Sequence, residues 1–241
     1  MMRIDEYLAH NAKSYPHKVF AICNDETVTY SQFFDLVAAE AERYTQGTLV
    51  VYRSAQSINS LVTFFAVLTA NAIAVPLEAE MTDDAFNALR QTLEGIHAPE
   101  NTAIVLYTTG TTGKSKGVMI SHNAIVSSAL NLVHGQKYDS DTTFIISGPL
   151  NHIGSLSKIW PVVINGGSLY ILTGLKSMED FFNALDYPTH KVATFMVPAG
   201  LRMLMQFGSQ RLSSYKDKID FIETGAAPMA KSDMQNLCKL L

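Results

Sequence analysis

The 241-residue chain has few of the residues that staple a fold, span a membrane or hold a polyanion. Cysteine occurs twice, at Cys23 and Cys238, which is no disulfide framework and predicts a reduced, cytoplasmic protein. Basic residues number 18 against 22 acidic ones, for a net charge of −4, and no basic run stands out, so nucleic acid is excluded as an expected partner. The N-terminal stretch MMRIDEYLAHNAKSY is polar and lacks the apolar centre of a secretory signal. The most membrane-like run, LVTFFAVLTANAIAVPL at 61–77, is short for a span and is broken by Asn71 and Pro76. It predicts a buried helix handing over to a buried strand. His10, His17, His97, His122, His134 and His190 show no His-x-x-x-His spacing, which argues against a zinc held by the protein, and no Gly-x-Ser-x-Gly elbow marks a hydrolase.

What is present is a high apolar content, 47%, arranged in alternating helical and strand patterns without repeats. That alternation predicts an α/β protein with mostly parallel strands. A helix is expected up to Pro16 and a strand in KVFAICN. TVTYSQFFDLVAAEAERY should carry a strand into a helix, with Ser31 as the candidate cap. GTLVVYRS, SINSLVTFFAVLTAN and AIAVPLE form a βαβ unit, and a Thr-capped helix follows in MTDDAFNALRQTLEG. Downstream, HNAIVSSALNLVHG reads as a helix with Asn123 near its start and Gly135 near its end, before further alternating elements. PMAKSDMQNLCKLL is an amphipathic helix that runs to the final residue without a cap or polar tail, which predicts a chain cut from something longer.

Residues 108–117, TTGTTGKSKG, carry the densest chemistry. Gly110 and Gly113 permit the positive dihedrals of an anion-cradling loop, Thr108, Thr109, Thr111 and Thr112 add hydroxyl donors, and Lys114 and Lys116 add charge. The stretch is one residue away from the GxxxxGK[ST] loop of triphosphatases, with Thr108 in place of the first Gly. In that loop a helix opens at the Lys-Ser pair. Here the β-branched run Val118-Met119-Ile120 follows, which predicts a strand and therefore a strand–loop–strand hairpin.

YTTGTTGKSKGVMISH, residues 107–122, closely resembles the signature phosphate loop of the adenylate-forming superfamily of acyl-CoA and aryl-CoA synthetases and peptide-synthetase adenylation domains. Ser115 stands where the usual form has Pro, a change that touches loop stiffness rather than a donor. In order along the chain, VTYSQF (28–33), AVLTANAIAVPLEAE (66–80), PLNHIG (149–154) and ETGAAPM (223–229) resemble further family segments, with PLNHIG one residue short of a P-x-x-H-x-x-G motif.

The resemblance implies ATP-dependent activation of a carboxylic acid through an acyl adenylate. It assigns Thr108, Thr109, Gly110, Thr111, Thr112, Gly113, Lys114 and Lys116 to the ATP phosphates, His152 and Gly154 to the acyl pocket, and Gly225, Ala226, Ala227 and Pro228 to adenine and substrate. Mg2+ would arrive with ATP, and CoA is the implied acceptor. The family's catalytic Lys and magnesium-binding Glu are expected beyond Leu241, so an isolated chain ending there is expected to be inactive. The pocket motif lacks the Asp with which amino-acid-activating relatives pair the α-ammonium, which favours a fatty or aryl acid.

The implied fold is two packed αβ layers forming an incomplete N-terminal AMP-binding region over 1–241. Residues 47–135 would build the lobe with the phosphate loop, and 15–45 plus 140–241 the lobe with the acyl pocket. Two other readings stand beside this one: a non-catalytic nucleotide or acyl-binding module, and a triphosphatase.

Overall fold

The computed structural model describes residues 1–108, 116–174 and 178–241. Two sheets organise it. A four-stranded sheet has the order β3-β4-β5-β6, with β3 at Leu49–Ser54, β4 at Ile73–Glu78, β5 at Thr102–Thr108 and β6 at Lys116–Ser121. A six-stranded sheet has the order β10-β9-β7-β8-β1-β2, built from β1 (Val19–Cys23), β2 (Glu26–Thr29), β7 (Thr142–Ile146), β8 (Ser168–Ile171), β9 (Lys191–Met196) and β10 (Ile219–Thr224). All neighbours are parallel except the hairpins β1–β2 and β5–β6.

Side-chain alternation along the strands sets how the layers stack. In β4, Ile73, Val75 and Leu77 point to a small core closed by Phe86, Leu89 and Leu93 of α4 (Asp83–Leu93), whereas Ala74 points to the large central core. That central core holds α1 (Ile4–Ser14), α2 (Tyr30–Ala41), α3 (Ile58–Thr69), α5 (His122–Gln136) and α6 (Ile153–Asn165) between the two sheets. The outer face of the six-stranded sheet is covered by α7 (Met178–Asp186), α8 (Pro198–Ser213) and α9 (Lys231–Leu240). The run at 61–77 is indeed a buried helix passing into a buried strand, with Phe65, Ala66, Val67 and Leu68 fully enclosed. Among the described residues no helix is long and apolar enough to cross a membrane.

Helix starts follow hydroxyl caps. Ser57, Thr82 and Ser121 each accept from the backbone three residues on, satisfying one of the free N–H groups of a first turn. Ser31 is not the cap of α2. Thr29 is, in a reciprocal box in which Gln32 N–H donates to Thr29 Oγ1 at 3.3 Å and Thr29 N–H donates to Gln32 Oε1 at 2.9 Å. The aromatic Tyr30 is then free to enter the core and donate to Gly167 O at 2.8 Å.

His122, the first residue of α5, is 7% exposed and its Nδ1 has no hydrogen-bond partner among the described residues. Burial, aided by the Arg3 guanidinium, lowers its pKa to about 4. Because the folded pKa lies below the unfolded one, the unfolded chain binds more protons between those values. Stability from His122 is therefore complete above pH 6.5 and declines as pH falls from 6.5 towards 4. The loss expected by the bottom of that window is about 2 kcal/mol. Urea denaturation at pH 7 and pH 4.5 measures it, and His122→Gln should flatten the difference between the two.

Candidate active site

The β5–β6 hairpin brings the two ends of the Gly-rich loop together. Thr108 pairs with Lys116 and Tyr107 with Gly117 in antiparallel register, so the chain after the loop is a strand, as the Val-Met-Ile run predicts. A Cβ at position 117 would lie 3.0 Å from Val105 Cγ1 and 3.4 Å from the Tyr107 ring, so a side chain there would press on Val105. Thr108 and Lys116 thus flank the loop mouth, both exposed. Thr109, Gly110, Thr111, Thr112, Gly113 and Lys114 lie outside the described residues, as does Ser115.

His152 is the N-cap residue of α6, in extended conformation and exposed. Its carbonyl accepts from Ser155 and Leu156 N–H at 3.2 and 3.0 Å, while its imidazole makes no cap bond. The ring is therefore left to face the space between the sheets. Two clefts meet at Asn151 and His152. One, of about 490 Å³, reaches Ser54 at the end of β3 and Glu78 at the end of β4. The other, of about 330 Å³, is walled by Tyr107, Thr108, Val118 and Ile120 of the hairpin and by Ile153. Both open at the carboxyl ends of parallel strands, where α/β sheets collect ligands.

Gly154 and Gly225 converge on one ring. A Cβ on Gly154 would lie 3.4 Å from Phe195, and a Cβ on Gly225 would lie 3.3 Å from it. Phe195 on β9 pairs with Glu223 on β10, so its ring and the Glu223 carboxylate emerge on the same face of the sheet, and Gly225 two residues on shares that face. Above them, Gly154 and Lys158 stand one helical turn apart on α6. The Lys158 ammonium, almost fully buried, donates to Glu223 Oε1 at 2.6 Å and lies 5.4 Å from the Phe195 ring centre. Gln136 completes the group, donating to Glu223 Oε2 at 3.1 Å. Ala226 adopts the left-handed region at φ 65°, which is costly for a residue with a Cβ. Ala226, Ala227 and Pro228 are exposed and line neither of the two clefts.

Sequence reasoning missed Phe195, Lys158, Glu223 and Gln136. The available signal was Lys158 itself, a lone charge within the apolar stretch SLSKIW, where a buried helix face demands a partner. Among the described residues no group of three or more His, Cys, Asp or Glu side chains could hold a metal ion.

The AMP-binding enzyme family model matches residues 87–241, more than half of the sequence, from α4 through the hairpin to α9. The chain belongs to this family. Among curated relatives, a linear gramicidin synthase of Brevibacillus parabrevis is 27% identical over 83% of the chain and 3% of its own length. The 4-coumarate-CoA ligase 1 of Narcissus pseudonarcissus is 29% identical over 55% of the chain and 25% of its own length. The chain thus spans a quarter or less of the length of these relatives. Among solved structures, the N-terminal subdomain of Klebsiella oxytoca NpsA in complex with 3-hydroxyanthranilyl-AMSN superposes with a TM-score of 0.82 at 14% identity, covering 100% of this chain and 70% of that one. The o-succinylbenzoate CoA synthetase of Bacillus subtilis, in complex with its acyl-adenylate intermediate, gives 0.80 at 19% identity, covering 97% and 71%. At these identities the structural likeness shows the fold alone, that of the N-terminal subdomains of these neighbours.

Proposed function

We propose that this chain supplies the nucleotide and acid site of an AMP-forming acid–thiol ligase. The observation that carries the reading is the shared cleft between the β5–β6 hairpin and His152, which sets the mouth of the Gly-rich loop against the start of α6. In the proposed reaction a carboxylate oxygen of the substrate forms a bond to the α-phosphorus of ATP. The bond from that phosphorus to the α–β bridging oxygen breaks, and pyrophosphate leaves with the electron pair. The protein's contribution is positioning and neutralisation of charge. Thr108 and Lys116, with residues 109–114 between them, would hold the β- and γ-phosphates, and Mg2+ would come with ATP. His152 would stand beside the reacting carboxylate, and Gly225 to Pro228 would lie along adenine. A thiol, with CoA as the favoured acceptor, would then form a bond from its sulfur to the acyl carbon. The bond from that carbon to the phosphate oxygen would break, AMP leaving with the electron pair and the thiol proton passing to solvent.

A triphosphatase is disfavoured by β6, because a paired strand rather than a helix N-terminus follows the loop. The direct test is ATP–pyrophosphate exchange dependent on added carboxylic acid, measured with the chain in its full reading frame across short, fatty and aromatic acids. Thr109→Ala with Lys114→Ala is expected to lower exchange by about a hundredfold or more. Nucleotide binding with no exchange for any acid would leave a binding module in place of a ligase.

A further inference from the structure

Gly154 is assigned to the acyl pocket because a residue without a side chain leaves room for the substrate. In this chain that room is occupied. The ring of Phe195 fills the space that a Cβ on Gly154 would meet at 3.4 Å, and the same ring fills the space beside Gly225 at 3.3 Å. Phe195 is a wedge between the two glycines, and the 330 Å³ cleft ends at His152 and Ile153 without reaching it. Behind the ring is not further apolar space but the Lys158–Glu223 ion pair, with Gln136 on the second carboxylate oxygen. The ammonium rests over the ring at 5.4 Å and braces it. Ser147 Oγ also donates to the Phe195 carbonyl at 3.0 Å, fixing the backbone that carries the ring.

Taking the adenylation reading above as given, we infer that Phe195 sets a short reach for the acyl pocket, so that the acid activated is compact, a small aromatic or short-chain carboxylate, and long alkyl acids are excluded. An alkyl chain longer than the cleft would have to displace the ring, taking from the ammonium its contact with the ring face, and then press methylenes against a buried ion pair. A compact acid stops at the ring face and meets neither cost. The ring lies against both glycines, at ordinary contact distance from a Cβ on Gly154 and tightly against one on Gly225, and what lies beyond either glycine is the ring rather than open space, which limits depth.

The test is calorimetric binding of benzoyl-sulfamoyl adenosine and decanoyl-sulfamoyl adenosine to the chain, together with AMP. The wild type is expected to prefer the benzoyl compound by about tenfold or more. Phe195→Ala should narrow that gap to about threefold by tightening the decanoyl compound, and Phe195→Leu, a milder change in the same core position, should narrow it part-way. A wild type that binds both analogues equally overturns the inference, as do Phe195 variants that bind the benzoyl compound normally and keep the full gap. Failure of the wild type to bind AMP and both analogues is a separate result, which removes the adenylation reading and the inference with it.

Discussion

Lys158→Ala is expected to destabilise the protein by about 3 kcal/mol, a large fraction of the stability of a chain this size. Lys158 is 6% exposed in the middle of α6, and its ammonium donates to a Glu223 carboxylate whose side chain is itself mostly enclosed. Taking two charges from water is costly, and the pair is tolerable only while each has the other. Truncating Lys158 leaves Glu223, among the described residues, with Gln136 as its remaining side-chain donor, removes the cation from the Phe195 ring and opens a cavity under α6. The companion experiment is Lys158→Met combined with Glu223→Leu. With both charges gone the desolvation cost disappears as well, so the double variant should recover most of the loss. Urea denaturation of the wild type, Lys158→Met, Glu223→Leu and the double variant at pH 7 gives the coupling directly. A Lys158→Ala protein within about 0.5 kcal/mol of wild type would show that the ion pair does not hold α6 to β10.

The second large effect is expected at Gly167. Helix α6 is capped after Asn165 by Gly166, whose φ of 71° is the left-handed turn that glycine adopts without cost, and Gly167 N–H donates to Val162 O at 2.9 Å. A Cβ on Gly167 would lie 2.7 Å from the carbonyl oxygen of Thr142 and 3.2 Å from Val162 Cγ1. The first of these is backbone at the start of β7, paired on both sides within the six-stranded sheet, and it cannot move aside as a side-chain tip can. Gly167→Ala should cost about 3 kcal/mol. Gly135→Ala is the control, since a Cβ there, inside α5, meets nothing within 4 Å. It should stabilise by about 0.5 kcal/mol through the better helix propensity of alanine. Thermal melts of the two variants should move in opposite directions, and a Gly167→Ala melt equal to wild type would refute the steric argument.

Gly167 and Lys158 show why parts of this protein are legible in its sequence and parts are not. The alternation of helices and strands, the buried run at 61–77 and the hairpin after the Gly-rich loop follow from local rules. Apolar period, β-branching and turn residues act between neighbours in the chain, and the structure places those elements where the patterns put them. The cap of α2 lies two residues from where the local pattern puts it. Ser31 and Thr29 are both plausible caps locally, and what favours Thr29 is the burial of Tyr30, whose hydroxyl reaches Gly167, 137 residues away in the chain. A cap thus belongs to the local menu, but the choice from that menu was made by the core.

The site divides along the same line. By itself the sequence determined that this is an α/β chain, that a strand rather than a helix follows the Gly-rich stretch, and that the ordered motifs resemble the adenylate-forming superfamily, because glycine spacing, hydroxyl density and strand propensity are written in consecutive residues. Only the tertiary structure decided that Gly154 and Gly225, 71 positions apart, lean on a single Phe195 ring, and that Lys158, Glu223 and Gln136 satisfy one another behind it. Neither α6 nor β10 carries a local mark of the other. Their meeting is set by the order of strands in the six-stranded sheet and by the cost of leaving a buried charge without its partner.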